Sequence, residues 1–160
     1  MDIQVDTNEK ERATKKIFAE FDRQGIHYFS SKLYVGDYMN LDNPRLIVDR
    51  KQSLSELYTN LCHEHNKGKN EGRFTKEFER AKQAGIKVVL LCEHGNGIKT
   101  LEDVREWYNP RLDKTPFAWD GRKLHKEIAL FLKRYDTEIY FCNKTQTGKR
   151  IIELLGGEIV

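Results

Sequence analysis

The segment GDYMNLDNPRLIVDRK, Gly36 to Lys51, holds two acidic residues, Asp37 and Asp49, and a lysine two positions beyond the second. Leu41-Asp42-Asn43-Pro44, at its centre, is a cluster of turn-forming residues. Apolar runs flank it, Leu33-Tyr34-Val35 on one side and Leu46-Ile47-Val48 on the other. Two such runs about a turn predict a β-hairpin or short ribbon that reverses around Asp42 to Pro44. In an antiparallel pair the numbers of opposed residues sum to a constant, and Asn43 lies midway between Asp37 and Asp49. A symmetric turn therefore sets the two carboxylates roughly opposite each other. Side chains alternate between faces along a strand, so Asp49 and Lys51 share a face. Asp37, Asp49 and Lys51 are expected on one patch. Adjacent carboxylates repel unless a cation lies between them. Hard oxygen donors beside a lysine suit a divalent ion such as Mg²⁺, with the ammonium close to a metal-bound water.

Working outward, 160 residues suit one domain, residues 1–160, with a substantial core. Charged residues make up 33% and hydrophobic residues 38%, as in soluble globular proteins. No apolar run approaches membrane-spanning length and no signal-peptide core opens the chain, so a cytoplasmic protein with no membrane partner is expected. Cys62, Cys92 and Cys142 are odd in number and far apart, which favours reduced thiols. A net charge of +3 permits a nucleic-acid partner without demanding one.

In chain order, Asp2 to Val5 reads as a strand delivering Asp6. A helix follows, capped by Asp6 or Thr7, with Ala13, Ile17 and Phe21 as its apolar stripe and Gly25 at its end. His27 to Leu33 reads as a strand leading into the ribbon. After Lys51, Leu54, Leu57, Tyr58 and Leu61 predict a helix, with Ser53 and Glu56 as a capping box. His63 to Gly72 reads as a polar loop. Phe74, Phe78 and Ala81 mark a second helix ending at Gly85, and Ile86 to Cys92 a strand covered on both faces. Thr100 is expected to cap a short helix through Trp107, and Asn109 to Gly121 to form a crossover or surface excursion. A helix over Arg122 to Tyr135 turns Leu124, Ile128 and Leu132 inward. A buried-type strand over Thr137 to Cys142 and a final helix over Thr145 to Leu155 complete the chain. Alternating helices and buried strands imply an α/β layered architecture.

The central segment resembles the nuclease domain of the XPF family, within the restriction-endonuclease-like PD-(D/E)xK superfamily. Gly36-Asp37 matches the family's GD pair, and Asp49-Arg50-Lys51 its acidic-Arg-Lys triplet, which usually begins with Glu. Val5-Asp6-Thr7-Asn8-Glu9 matches the opening Val-Asp-x-Arg-Glu pattern except at Asn8. Gly72-Arg73-Phe74 and Val88-Val89-Leu90-Leu91 occupy the places of a Gly-Arg-aromatic segment and a following apolar strand. The likeness covers most of the chain and points to the small stand-alone members found in bacterial and prophage genomes. It implies a three-layer α/β/α restriction-endonuclease-like fold with a central mixed β-sheet. It also implies a Mg²⁺- or Mn²⁺-dependent DNA endonuclease, selective for flap, fork or junction DNA in repair, recombination or phage DNA metabolism, and working as a homodimer. No helix-hairpin-helix module, which longer members use to grip DNA, is read in the chain.

On this reading Asp37 and Asp49 hold the metal, joined by the backbone carbonyl of Arg50. Lys51 orients the attacking water or steadies the charge of the transition state. Asp6, with Glu9, stands behind these ligands or holds a second ion. The competing reading makes Asp6 and Glu9 ordinary helix-start residues. Arg50 either steadies the site or pairs with a helix carboxylate. Lys67, Lys69 and Arg73 are the candidate contacts to the DNA backbone, although Arg73 also has Glu77 as its i+4 neighbour. Trp107 and Trp119 are expected in the core. Two rival readings remain: a non-catalytic binding member of the same fold, suggested by Asn8, and a zinc module built from Cys62-His63-Glu64-His65 and Cys92-Glu93-His94.

Overall fold

In the computed structural model, which describes residues 1–65, 72–95 and 97–159 and only the backbone of residues 64 and 65, the expected ribbon lies at the middle of a six-stranded sheet. The strands are β1 (Asp2–Val5), β2 (His27–Ser30), β3 (Tyr38–Asn40), β4 (Asn43–Lys51), β5 (Lys87–Glu93) and β6 (Ile139–Cys142). Their order is β2-β1-β3-β4-β5-β6. β3 runs antiparallel to both its neighbours, while β1–β2, β4–β5 and β5–β6 are parallel, so the sheet is mixed. Parallel joins need crossovers, and helices supply them. These are α1 (Glu11–Arg23), α2 (Leu54–His65), α3 (Arg73–Gln83) and α4 (Gly121–Arg134), with α5 (Thr147–Leu154) following β6.

The apolar run of β5 is explained by cover on both faces. Val88, Leu90 and Cys92 enter a core built with Leu54, Leu57 and Leu61 of α2, Phe74 and Phe78 of α3, and Leu124 and Ile128 of α4. Val89 and Leu91 enter the opposite core with Ile17 and Phe21 of α1 and Ile151 and Ile152 of α5. The result is the expected three-layer α/β/α fold.

The ribbon keeps the expected register by an unexpected route. Tyr38 pairs with Val48 and Met39 with Ile47, which brings Asp37 beside Asp49 at the next position outward. The turn is Leu41-Asp42, not Asp42 to Pro44, and Asn40 opposes Asn43. An irregularity between Met39 and Asn40 restores the register by taking up Pro44, Arg45 and Leu46 on the β4 side. Pro44 has no N–H to give a ladder, so this is where the pairing yields.

Other boundaries move for local reasons. α1 begins at Glu11 with Lys10 at its N-cap position and no side-chain cap, so neither Asp6 nor Thr7 caps it, and Asp6 binds backbone instead. β2 ends at Ser30. α2 runs on through His65, into what reads as loop from the sequence. The element before Trp107 is a 3-10 turn, Glu102–Glu106; Asp103 Oδ2 accepts from the N–H groups of Lys99 and Thr100, so Thr100 is not the cap. α4 turns Phe131, rather than Leu132, fully inward. β6 is one of the two sheet edges, and three of its four residues are only half-buried. Trp107 and Trp119 pack against the core as expected. No disulfide joins the cysteines, and no helix among the described residues is long and apolar enough to cross a membrane.

Candidate active site

Asp37 precedes β3 and is tied on three sides. Its backbone N–H donates to Val48 O (2.9 Å), and its carbonyl accepts from Asp6 N–H (2.8 Å). Its Oδ2 accepts from Arg50 N–H at 2.7 Å. Gly36, just before it, has φ +69°, and its N–H donates to Glu77 Oε1 of α3 at 2.6 Å. Asp49 and Lys51 share a face of β4 as period two requires, with Lys51 Nζ 3.3 Å from Asp49 Oδ2. The Lys51 ammonium also sits 4.4 Å over the Phe74 ring.

The charges here are unbalanced. Burial pushes the Asp37 carboxyl well above the ordinary aspartate range, and the neighbouring Asp49 pushes it further. Glu77 is raised as well, by burial first and Asp49 second, against the pull of the Gly36 N–H. Burial pulls Lys51 down, but Asp49, Glu56 and Asp37 outweigh it, so the lysine ends above its usual value. Asp49 Oδ2 is closed off from solvent and accepts no hydrogen bond among the described residues; the Lys51 ammonium is its ion-pair partner. A buried carboxylate oxygen that accepts no hydrogen bond, beside a carboxyl that resists ionising, is a donor set that would suit a cation.

Arg50 faces away from this patch. Its Nε and Nη2 donate to Glu9 at 2.8 and 3.3 Å, and its Nη1 donates to Glu93 at 2.5 Å. Tyr38 Oη donates to Glu9 at 2.6 Å. The arginine side chain thus braces the ends of β4 and β5 against the segment entering α1. Asp6 has both oxygens engaged by backbone, accepting from Leu33 N–H at 2.8 Å and Asn8 N–H at 3.1 Å. Ser53 accepts from Glu56 N–H, and Glu56 Oε2 reaches back to Gln52 N–H, one residue before the place a capping box would use. Arg73 is exposed at the start of α3, and its expected partner Glu77 is bonded to Gly36 instead. Lys67 and Lys69 lie outside the described residues.

Asp37, Asp49, Lys51, Glu9, Glu56 and Glu77 all line one cleft of ≈ 540 Å³. Among the described residues no three His, Cys, Asp or Glu side chains converge as a ready metal site. Two carboxylates completed by water or backbone oxygen suit Mg²⁺, which keeps several waters, better than a structural zinc. The zinc constellation fares worse. Cys92 is buried, with its thiol pushed up, His63 is exposed, and Glu93 is committed to Arg50.

Glu77 and Glu93 have places here that the sequence did not suggest, where Glu77 reads only as a neighbour of Arg73 and Glu93 only as part of the zinc constellation. Glu93 ends a buried strand whose register sets Lys51 against Cys92, a position legible once β4 and β5 are taken as parallel neighbours. Nothing local marks Glu77, whose bond to Gly36 spans 41 residues.

The ERCC4 domain matches residues 5–155. No curated protein matches. Among solved structures, XPF from Aeropyrum pernix superposes with a TM-score of 0.66 at 20% identity, covering 97% of this chain and 63% of that one. XPF from Aeropyrum pernix in complex with DNA gives 0.63 at 21% identity, covering 96% and 62%. This chain therefore spans less than two thirds of those proteins, and at such identity the likeness is one of fold. The match over 5–155 brackets both Asp37 and the Asp49-Arg50-Lys51 triplet, and the chain belongs to the ERCC4 domain family, the XPF-type nuclease domains.

Proposed function

We propose that this protein is a divalent-metal-dependent DNA endonuclease that hydrolyses phosphodiester bonds. The observation that carries the reading is Asp49 Oδ2, buried with the Lys51 ammonium at 3.3 Å but no hydrogen bond, beside the Asp37 carboxyl that burial first and Asp49 second push up. Asp37 and Asp49 would hold Mg²⁺ or Mn²⁺, completed by the Arg50 carbonyl. A divalent ion there would acidify its water and neutralise phosphate oxygens. Lys51, raised and charged at neutral pH, is no general base; its ammonium is placed to hold the attacking water or a phosphate oxygen. Asp6 holds the Asn8 and Leu33 backbone in place and so stands behind the ligands. Arg50 keeps Asp37 and β4 in register through its N–H and its guanidinium.

Lys67, Lys69 and Arg73 are proposed to meet the DNA backbone, and branched DNA is the proposed substrate. A homodimer is proposed from the family. The apolar residues of α5 are spent on the internal core, so a partner surface away from α5 is proposed; among the described residues Phe117, 90% exposed, is the most exposed large apolar side chain. Purified protein should cut DNA with Mg²⁺ or Mn²⁺, in a panel of flap, fork, junction and linear substrates. Chelator or Asp49→Ala should abolish cutting; activity that survives Asp49→Ala would show the site to be elsewhere.

A further inference from the structure

A second cavity, ≈ 740 Å³, opens beside the cleft and shares Asp6, Asn8, Gly36 and Glu77 with it. Its outer walls are of a different character. Arg73, Lys76 and Arg80 line it from α3, at the spacing that puts them on one helical face. Lys32 lines it from the segment between β2 and β3. A run of charges on a helix is usually just a solvated face, so the sorting of the charges matters here. Glu79 of α3 points to α4, where it meets Arg134 and Tyr135. Glu77 is held by the Gly36 N–H. No carboxylate among the described residues pairs with Lys32, Arg73 or Lys76. Three positive charges with no carboxylate partner among the described residues therefore line this groove, and the groove opens onto the carboxylates.

Tyr34 stands on the rim, 58% exposed. The Arg80 guanidinium lies over its ring, 5.2 Å from the centroid, and donates to the Tyr34 carbonyl at 3.1 Å. An arginine clamped to both ring and backbone fixes where an otherwise exposed aromatic points. An unpaired base offers the flat apolar face that such a ring can stack on, whereas a duplex keeps those faces inside its own stack.

We propose that this groove is the docking arm for an unpaired DNA strand: Lys32, Arg73 and Lys76 meet successive phosphates, and Tyr34 stacks a base next to the nucleotide entering the cleft. The inference rests on the nuclease reading above and names the form of DNA on one side of the cut. Its test is fluorescence anisotropy in chelator, so that nothing is cut, with a labelled single strand and the blunt duplex of the same sequence. Tyr34→Ala should weaken single-strand binding about 5- to 150-fold and leave duplex binding unchanged. Tyr34→Phe, which keeps the ring, should stay within about twofold of the parent protein. Arg73→Gln with Lys76→Gln should lower the single-strand salt slope by about 1.4, the share of two phosphate contacts. The proposal is overturned if Tyr34→Ala leaves single-strand affinity intact or lowers both forms alike, or if the double variant keeps the full salt slope. The two readings fail separately. Parent protein that binds single strands through Tyr34 yet never cuts keeps the groove and loses the nuclease. Protein that cuts branched DNA equally well with Tyr34→Ala does the reverse.

Discussion

Asp37 is held where its own ionisation is costly. Its folded pKa lies above the unfolded one, by burial and by Asp49, so the folded chain keeps that proton to higher pH than the unfolded chain does. Stability from this residue is therefore lost as pH rises from about 4 through the folded value, and the deficit is present at neutral pH when no cation is bound. Asp37→Asn removes the charge, while its amide oxygen can still accept from Arg50 N–H. In chelator near neutral pH the variant should be stabilised by about 1 kcal/mol, melting roughly 2–4 °C higher, with the gap closing as pH falls. The same protein should not cut DNA. A melting point below that of the parent would show that Asp37 is not a strained ligand. Arg50 is the opposite case, a charge that the fold requires. Arg50→Ala would leave Glu9 and Glu93 buried without their cation, and denaturant titration should show a loss of about 3–5 kcal/mol. Asp37, Asp49 and Lys51 were legible in the sequence because period two and hairpin register are local arithmetic. The true use of Asp6 was not, since one of the groups it binds, Leu33 N–H, is 27 residues away.

Among the elements, the β3–β4 ribbon shows why register can be read even where a turn is misplaced. Apolar Val48 and Ile47 must face the same cores as Tyr38 and Met39, and a slip by one residue would expose them. The buried pairs therefore fix the register, and the tip around Pro44 absorbs the mismatch. β6 was misread for the converse reason: an apolar run looks alike in a central strand and in an edge strand packed on one side. Gly36 is where the ribbon meets the site. Its φ of +69° disfavours any side chain, and a Cβ there would collide with Ile47 Cγ2. Gly36→Ala should cost about 2–4 kcal/mol in a denaturant titration, and it should move the N–H that Glu77 accepts. Catalysis should fall more steeply than the folded fraction, because Asp37 is the next residue. Full activity in a folded Gly36→Ala protein would disconnect this turn from the chemistry.

Across the whole molecule, a chain with a net charge of +3 gathers Glu9, Asp37, Asp49, Glu56 and Glu77 around one cleft. Lys51 closes β4 and Glu93 closes β5, so the cleft lies at the carboxyl edge of the parallel half of the sheet, where open α/β sheets place their ligands. Helix layers on both faces leave that edge uncovered, and the repulsion concentrated there is borne by the cores on either side. A cation that binds the folded cleft and not the unfolded chain must then raise stability by mass action. At a metal concentration about a hundredfold above Kd the gain is about 2.7 kcal/mol, or roughly 5–10 °C in Tm for a chain of this size. Thermal melts with increasing Mg²⁺ or Mn²⁺ should show that rise in the parent protein. Asp49→Asn should be nearly flat, because it removes the charge of a buried carboxylate whose Oδ2 accepts no hydrogen bond among the described residues. An equal rise in both proteins would place the ion away from Asp49, and no rise in either would leave the carboxylates without the charge their burial calls for.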